Sequence, residues 1–333
     1  MRFLLDDEQR EFARTLDTML SAADTPRAAR AWAAGDHAPG LALWSRLAEA
    51  GVLALAVPEA YEGLGPLPVE LAVAFTELGR HAVPGPLVET VAAAALLGRL
   101  GNGDGDGGPA AAWLPRVAAG KATVSLSVPA LTGPYALDAD MADAVLVVED
   151  DALRLADSAG PVQPSADPAR RLARPSAGGT VLARGPEVAA ASGYAAEVAA
   201  LATAAQSLGL GRALLDRTVA YVGQRTQFGV PIGSFQAVKH RLADTLIALE
   251  FARPLLYAAA LALAGRGSAP REIAAAKVTA GEAAHAAART ALQLHGAVGY
   301  TEELDLSLWI RKARPLRDAW GAPAACRARV LAP

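Results

Sequence analysis

The second half of the chain does most to limit the fold. From residue 186 onward it carries four long stretches of helical pattern, at residues 194–222, 235–265, 270–294 and 301–314, the earlier of them rich in alanine and leucine. Both residues lose little freedom in a helix, and long helical segments joined by short turns pack as antiparallel neighbours, here as a four-helix bundle. Hydrophobic residues make up 53% of the 333 residues but aromatic residues only 5%. Helix contacts must therefore be made by small side chains, which lets helices lie close together.

The first 120 residues are also helical in pattern. Residues 3–21 place Leu4, Leu5, Phe12, Leu16, Met19 and Leu20 at helical spacing. Further helices are predicted at residues 44–50, stopped by Gly51, and at residues 67–79 and 88–100, with a proline- and glycine-punctuated loop at residues 57–65. The run NGDGDGGP at residues 102–109 reads as a surface loop; Asp104 and Asp106 suggest calcium, but the later ligands of that loop type are missing. Residues 120–185 change character. TVSLSV (123–128) and AVLVV (144–148) are rich in β-branched residues, and residues 153–156 and 180–183 are further short strand candidates. The expected fold is mostly α with a small β domain: an N-terminal helical domain (1–120), a short middle β domain (121–185) and a C-terminal four-helix bundle (186–333).

Between two of the long helices lies QRTQFGVPIGSFQAVKHR, residues 224–241. It predicts a helix end near Arg225, a turn on Gly229, Pro231 and Gly233, and a new helix capped by Ser234. Arg225, Gln227 and Gln236 gather cationic and amide groups there, a surface suited to an anion with flat polar groups such as a dinucleotide. An ordinary helix–helix corner with a solvated charge has the same appearance.

The net charge of −3 supplies no basic field for nucleic acid or an anionic membrane. The single cysteine, Cys326, excludes an intrachain disulfide and a cysteine metal site, and the five histidines show no HExxH pairing, so no metal is expected. The N-terminus has no signal-peptide pattern. The most apolar stretches (91–100, 195–210, 255–264) are short or broken by Glu197, Thr203 and Gln206. No membrane span is expected, and the expected location is cytoplasmic.

With these segments in order, the chain resembles the acyl-CoA dehydrogenase family. Arg225-Thr226-Gln227-Phe228-Gly229-Val230-Pro231-Ile232 followed by Phe235-Gln236 is similar to the family's R-x-Q-F-G-x-P-I…F-Q signature. Gln293-Leu294-His295-Gly296-Ala297-Val298-Gly299-Tyr300 is similar to its Q-x-x-G-G-x-G-[FY] stretch. Weaker matches are Val57-Pro58-Glu59…Gly63-Leu64-Gly65 and Glu77-Leu78-Gly79-Arg80. The resemblance implies FAD as cofactor, an acyl-CoA substrate and a separate electron-transfer acceptor. It implies that Arg225 reaches the pyrophosphate of a flavin held mainly by a neighbouring subunit. Phe228 and Gln293 then contact the adenine end, with Gln227, Gln236 and Gly296 close by.

Two departures from the family pattern matter. The family's base is a Glu about twenty residues after the second motif, and the matching stretch here is Ala319-Trp320-Gly321-Ala322. Trp320 cannot accept a proton. The alternative base position on the first bundle helix is about Ala199, leaving Asp318 and Glu197 as nearby carboxylates. The family's T-E-P-x-x-G-S loop is reduced to Ser127, Thr132 and Gly133 within SLSVPALTG (125–133), and no tryptophan occurs between Trp113 and Trp309. The resemblance therefore implies a short subunit of a hetero-oligomeric acyl-CoA dehydrogenase whose partner subunit supplies the base. Paired subunits of that kind serve bulky, steroid-like acyl groups in the family. A self-sufficient homotetrameric dehydrogenase with an atypical base, and a non-catalytic scaffold binding acyl-CoA or a partner protein, are the alternatives.

Overall fold

The computed structural model describes residues 4–101 and 108–332. The calcium reading of Asp104 and Asp106 lies outside the described residues. The chain begins with α1 (Asp7–Ser21), opened by a reciprocal cap in which the Asp6 carboxylate accepts from Gln9 N–H and the Gln9 side chain returns to Asp6 N–H. Then follow α2 (Thr25–Ala33), α3 (Ala38–Glu49), two 3₁₀ turns, α4 (Pro68–Arg80), α5 (Leu87–Leu100) and α6 (Pro109–Ala118). Sequence periodicity alone does not reveal α2 and α6. Both are short, and each carries a proline in its first turn, a position a helix tolerates because that N–H is unpaired anyway.

The middle region contains β1 (Val124–Ser127), the single turn α7 (Pro129–Thr132), β2 (Ala136–Leu137), β3 (Ala144–Glu149), β4 (Ala152–Leu155), β5 (Leu172–Ala173) and β6 (Thr180–Arg184). Four of these form one sheet in the order β1-β3-β4-β6. β1 and β3 run parallel, and the other pairs are antiparallel. Residues of β1 and β3 are almost all buried, which explains their nearly continuous apolar runs. Thr90 of α5 fixes the sheet to the N-terminal helices: its hydroxyl donates to Val124 O at 2.7 Å.

The bundle consists of α8 (Pro186–Gln224), α9 (Gln236–Arg266), α10 (Pro270–His295) and α11 (Leu306–Asp318), followed by α12 (Pro323–Leu331). The chain is thus mostly helical, with N-terminal helices, a small mixed β domain and a C-terminal helical bundle. α8 is the central element; it packs against α4 and α5 on one side and α9 and α10 on the other. Two glycines let α4 and α8 touch backbone to backbone. A Cβ on Gly79 would sit 2.0 Å from Gln206 O, and one on Gly209 would sit 1.8 Å from Thr76 O. The alanine-rich composition has its use here, since small side chains permit such approach along the rest of α8.

Two helices correct the expectation that no segment is long and apolar enough to cross a membrane. α8 and α9 both meet that measure by length and composition. Of the polar residues that seemed to interrupt α8, Thr203 bonds to the carbonyl one turn back, Glu197 accepts from Ser268 and Ala269 at the start of α10, and Gln206 is buried. The apolar window of α8 is 94% buried and that of α9 only 33%. α8 is therefore a core helix, whereas α9 has an uncovered apolar face.

Candidate functional site

The corner between α8 and α9 is a small hairpin. Thr226–Gln227 (β7) pairs antiparallel with Val230–Pro231 (β8). The two residues between them both have positive φ, Phe228 at 55° and Gly229 at 80°. That combination makes a tight two-residue hairpin turn. It suits Gly229 but strains Phe228, whose side chain is 93% exposed and meets Phe235 edge-on. Ser234 does not cap α9, contrary to its sequence context. It lies in a 3₁₀ turn and its hydroxyl donates to Pro231 O at 2.7 Å, leaving Phe235 at the cap position. Arg225, Gln227 and Gln236 are all exposed.

Beside this corner, α9 and α10 enclose a cleft of about 640 Å³ lined by Arg241, Arg289, Thr290, Gln293, Gly296 and neighbouring small residues. Of the six residues assigned to the cofactor from sequence, Gln293 and Gly296 line it; Arg225, Gln227, Phe228 and Gln236 do not. Gly296 ends α10 at φ 66° and would meet nothing within 4 Å if it carried a Cβ. Arg241, which ends the stretch 224–241 but had no role assigned, and Arg289, outside both motifs, give the cleft two guanidinium groups without an ion pair among the described residues. Next to it His295 stacks on Tyr221 at 4.1 Å and bonds through Nδ1 to Ala291 O. Burial holds its imidazole below its ordinary range.

A second cavity, of about 250 Å³, joins two segments that the family resemblance connects with catalysis. Trp320, at the expected base position, lines it, and so does Thr132 from the reduced loop. Trp320 sits at φ 52° after α11, with Gly321 at 140°. The turn is pinned from beneath by Lys277, whose fully buried ammonium donates to Leu316 O, Arg317 O and Gly321 O at 3.1, 2.8 and 3.3 Å. These bonds satisfy carbonyls that the end of α11 leaves open. Burial lowers the Lys277 pKa to about 8.

The Trp320 indole N–H donates to Glu89 Oε1 at 3.0 Å. Glu89 stands in the first turn of α5, is 3% exposed, and has its other oxygen buried without a partner. Sequence motifs did not point to it. The available signal was its isolation: LVETVAAAALLGRL holds one acid and one distant arginine among apolar residues. Asp318 also lines the cavity but is half exposed and ion-paired with Arg317 at 3.1 Å. Glu197 lies elsewhere. It is buried, accepting from Ser268 Oγ at 2.8 Å and from Ala269 N–H at 2.6 Å, so it holds the start of α10.

Next to the second cavity is another indole–carboxylate pair. Trp32 Nε1 donates to Asp138 Oδ1 at 2.9 Å, and Asp138 Oδ2 is buried without a partner. Desolvation, strengthened by the nearby Glu89 charge, raises the Asp138 pKa to about 8. Asp17, Glu77 and His81 bring potential metal-ligand atoms within 4.8 Å of one another. His81 Nε2 already bonds Asp17 Oδ1 at 2.8 Å, and the Arg80 guanidinium lies 3.7 Å from that oxygen. A cation thus already occupies that neighbourhood.

Known proteins resemble this chain along most of its length. Residues 6–121 match the model of the acyl-CoA dehydrogenase N-terminal domain, and residues 189–330 that of the acyl-CoA dehydrogenase C-terminal domain. The acyl-CoA dehydrogenase IpdE2 of Mycobacterium tuberculosis is 35% identical over 311 residues, 92% of this chain and 91% of its own length. The fold superposes on a Tcur3481–Tcur3483 steroid ACAD variant with a TM-score of 0.81 at 26% identity, covering 97% of this chain and 96% of the other. It superposes on the ChsE4–ChsE5 complex from Mycobacterium tuberculosis with a TM-score of 0.80 at 25% identity, covering 98% and 97%. Helical domain, β domain, bundle and both sequence motifs therefore occur together in a chain that belongs to the acyl-CoA dehydrogenase family and is closely related to IpdE2.

Proposed function

We propose that the chain is one subunit of a heteromeric acyl-CoA dehydrogenase: it contributes residues to a shared FAD and leaves the proton-abstracting base to its partner. Trp320 is the observation that carries this reading. Where the family uses a carboxylate stands an indole with no basic lone pair, fixed by the Lys277-bound turn and already bonded to Glu89. Relatedness to IpdE2 and likeness to the ChsE4–ChsE5 complex support the paired form.

The donor set fits FAD. Arg241, Arg289 and Gln293 face one cleft with the open backbone of Gly296, and guanidinium forks suit diphosphate oxygens. Arg225, Gln227, Phe228 and Gln236, exposed on the adjoining corner, would complete the contact to the pyrophosphate and adenine end. FAD, when bound, accepts the hydride from the acyl β-carbon. This chain's residues would hold and orient the distal end of the cofactor, while the partner subunit removes the α-proton. Acyl-CoA is the substrate in this reading, a separate electron-transfer protein the acceptor, and the cytoplasm the location.

The bundle surface supports assembly with a second acyl-CoA dehydrogenase subunit. On α9, Ile247, Phe251 and Leu255 follow at intervals of four residues and are 52, 73 and 38% exposed. Such a stripe suits burial against another helix.

The test is purification of the chain alone and co-expressed with a full-length acyl-CoA dehydrogenase subunit. The expected result is flavin absorbance from about one FAD per pair, bleached by acyl-CoA, and a colourless single chain. Stoichiometric FAD on the chain alone, reduced by acyl-CoA, overturns the proposal. One observation favours a second reading, a self-sufficient homo-oligomer: Glu89 and Asp318 share the cavity with Trp320. In that case Glu89→Gln or Asp318→Asn abolishes flavin reduction; unchanged rates dispose of it.

A further inference from the structure

The two motif segments lie on different helices, and among the described residues no hydrogen bond joins residues 224–236 to residues 293–300. The hairpin itself has little to hold it. Residues 223–231 are all exposed, so no core fixes the direction in which the hairpin points. Its orientation comes from the last turn of α8. Arg225 N–H donates to Tyr221 O at 2.9 Å, and Ile232 N–H closes the turn on Arg225 O at 2.8 Å. Gly233 rests on the same helical turn, since a Cβ there would lie 3.0 Å from Val222 O.

Tyr221 is in turn seated on His295, with ring centroids 4.1 Å apart and planes 21° from parallel. His295 is the last residue of α10 and is buried. Its ring is itself fixed. Nδ1 lies 2.8 Å from Ala291 O, and because a carbonyl only accepts, Nδ1 carries the proton. The chain beyond α10 folds back on this residue: a Cβ on Gly299 would lie 3.2 Å from His295 Cβ, which gives the last glycine of the motif a packing reason. One residue thus touches both the backbone that presents Gln293 and Gly296 and the ring whose residue anchors Arg225. We propose that His295 is a positioning residue: stacked on Tyr221, it sets the Arg225 hairpin in register with Gln293 and Gly296, so that the two motif segments grip the distal end of FAD as one unit. The consequence for binding rests on the FAD reading above; the geometry does not.

Amide hydrogen exchange in the full-length chain alone, read by NMR, tests the geometry. His295→Leu and Tyr221→Leu should each speed exchange of the Arg225 and Ile232 amides about two- to tenfold, the value of one aromatic pair. The double variant should be no faster than the faster single one. His295→Phe keeps a ring and should retain the protection of the parent. His295→Asn keeps an N–H for Ala291 O but no ring, and should lose it. Exchange in the middle of α8 should stay unchanged, which a general loosening of the fold would not allow. FAD dissociation constants of the chain paired with a full-length acyl-CoA dehydrogenase subunit test the consequence: they should rise by the same factor in the Leu and Asn variants and not in the Phe variant. Unchanged exchange in the Leu variants, effects that multiply in the double variant, or a Phe variant that behaves like Leu would each overturn the positioning role. Faster exchange with unchanged FAD affinity would overturn the link to the cofactor. A parent pair that binds no FAD would defeat the cofactor reading and that link with it, while the exchange result still decides the role of the stack.

Discussion

Asp138→Asn is expected to stabilise the protein at neutral and alkaline pH and to leave it nearly unchanged in acid. Asp138 is buried, and its carboxyl is raised from 3.8 to about 8. A group whose folded pKa lies above its unfolded value favours the folded state fully below the unfolded pKa and loses that contribution as pH rises through the folded one. For Asp138 the window runs from about pH 4 to pH 8. At about 1.4 kcal/mol per pH unit, the interval from 3.8 to about 8 sets an upper limit of roughly 6 kcal/mol. Asparagine keeps an oxygen for the Trp32 indole and tolerates the left-handed backbone at φ 52°. Urea midpoints measured for both proteins from pH 4.5 to 8.5 give the difference curve, in which the titrations common to both cancel. It should rise with pH from near zero to about 2–5 kcal/mol in favour of the variant. A flat difference, or a variant less stable across the whole range, would refute the assignment of a neutral buried carboxyl.

Four further outcomes follow from other contacts. Gly79→Ala and Gly209→Ala should each cost about 1–3 kcal/mol or more by overpacking the α4–α8 contact, whereas Gly193→Ala in open space on α8 should gain about 0.5–1 kcal/mol, all read from thermal or urea unfolding. Lys277→Met strands the carbonyls of Leu316, Arg317 and Gly321 and should cost roughly 2–5 kcal/mol in the same assay. Glu197→Ala should destabilise by about 1–3 kcal/mol through loss of its bonds to Ser268 and Ala269, while flavin reduction in the assembled enzyme stays unchanged; a loss of turnover without loss of stability would restore Glu197 as a base. Phe228→Gly removes backbone strain at φ 55° worth about 1 kcal/mol and should leave the melting temperature equal or higher, yet weaken FAD retention in the heteromer as measured by dialysis and absorbance.

Much of the fold is legible in the sequence because local signals and tertiary packing agree. The long alanine-rich segments become α8, α9 and α10, and the β-branched islands become β1, β3, β4 and β6. α2 and α6 are missed because a helix of ten residues or fewer shows few turns of periodicity. Ser234 is misread because a hydroxyl before a helix has competing acceptors, and here Pro231 O is closer at hand than an amide of the next turn. The candidate sites are legible only where a contiguous motif encodes them, as for Arg225 to Gln236 and Gln293 to Gly296. Glu89, Thr132 and Trp320 come from three distant stretches, and no spacing along the chain records that they meet. Arg241 and Arg289 face one cleft only because α9 and α10 pack side by side.

Three of the five tryptophans cross boundaries between parts of the molecule. Trp32 of α2 bonds Asp138 in the β domain, Trp309 of α11 bonds Arg80 O at the end of α4, and Trp320 bonds Glu89 of α5. Each indole hydrogen is therefore a separate latch between segments far apart in sequence. In a proton NMR spectrum indole N–H signals stand well apart from most of the amides, and their exchange with deuterium times the opening of each latch individually. If the β domain loosens from the N-terminal helices before the bundle does, the Trp32 signal will fade first. A chain that opens all at once will lose the three together.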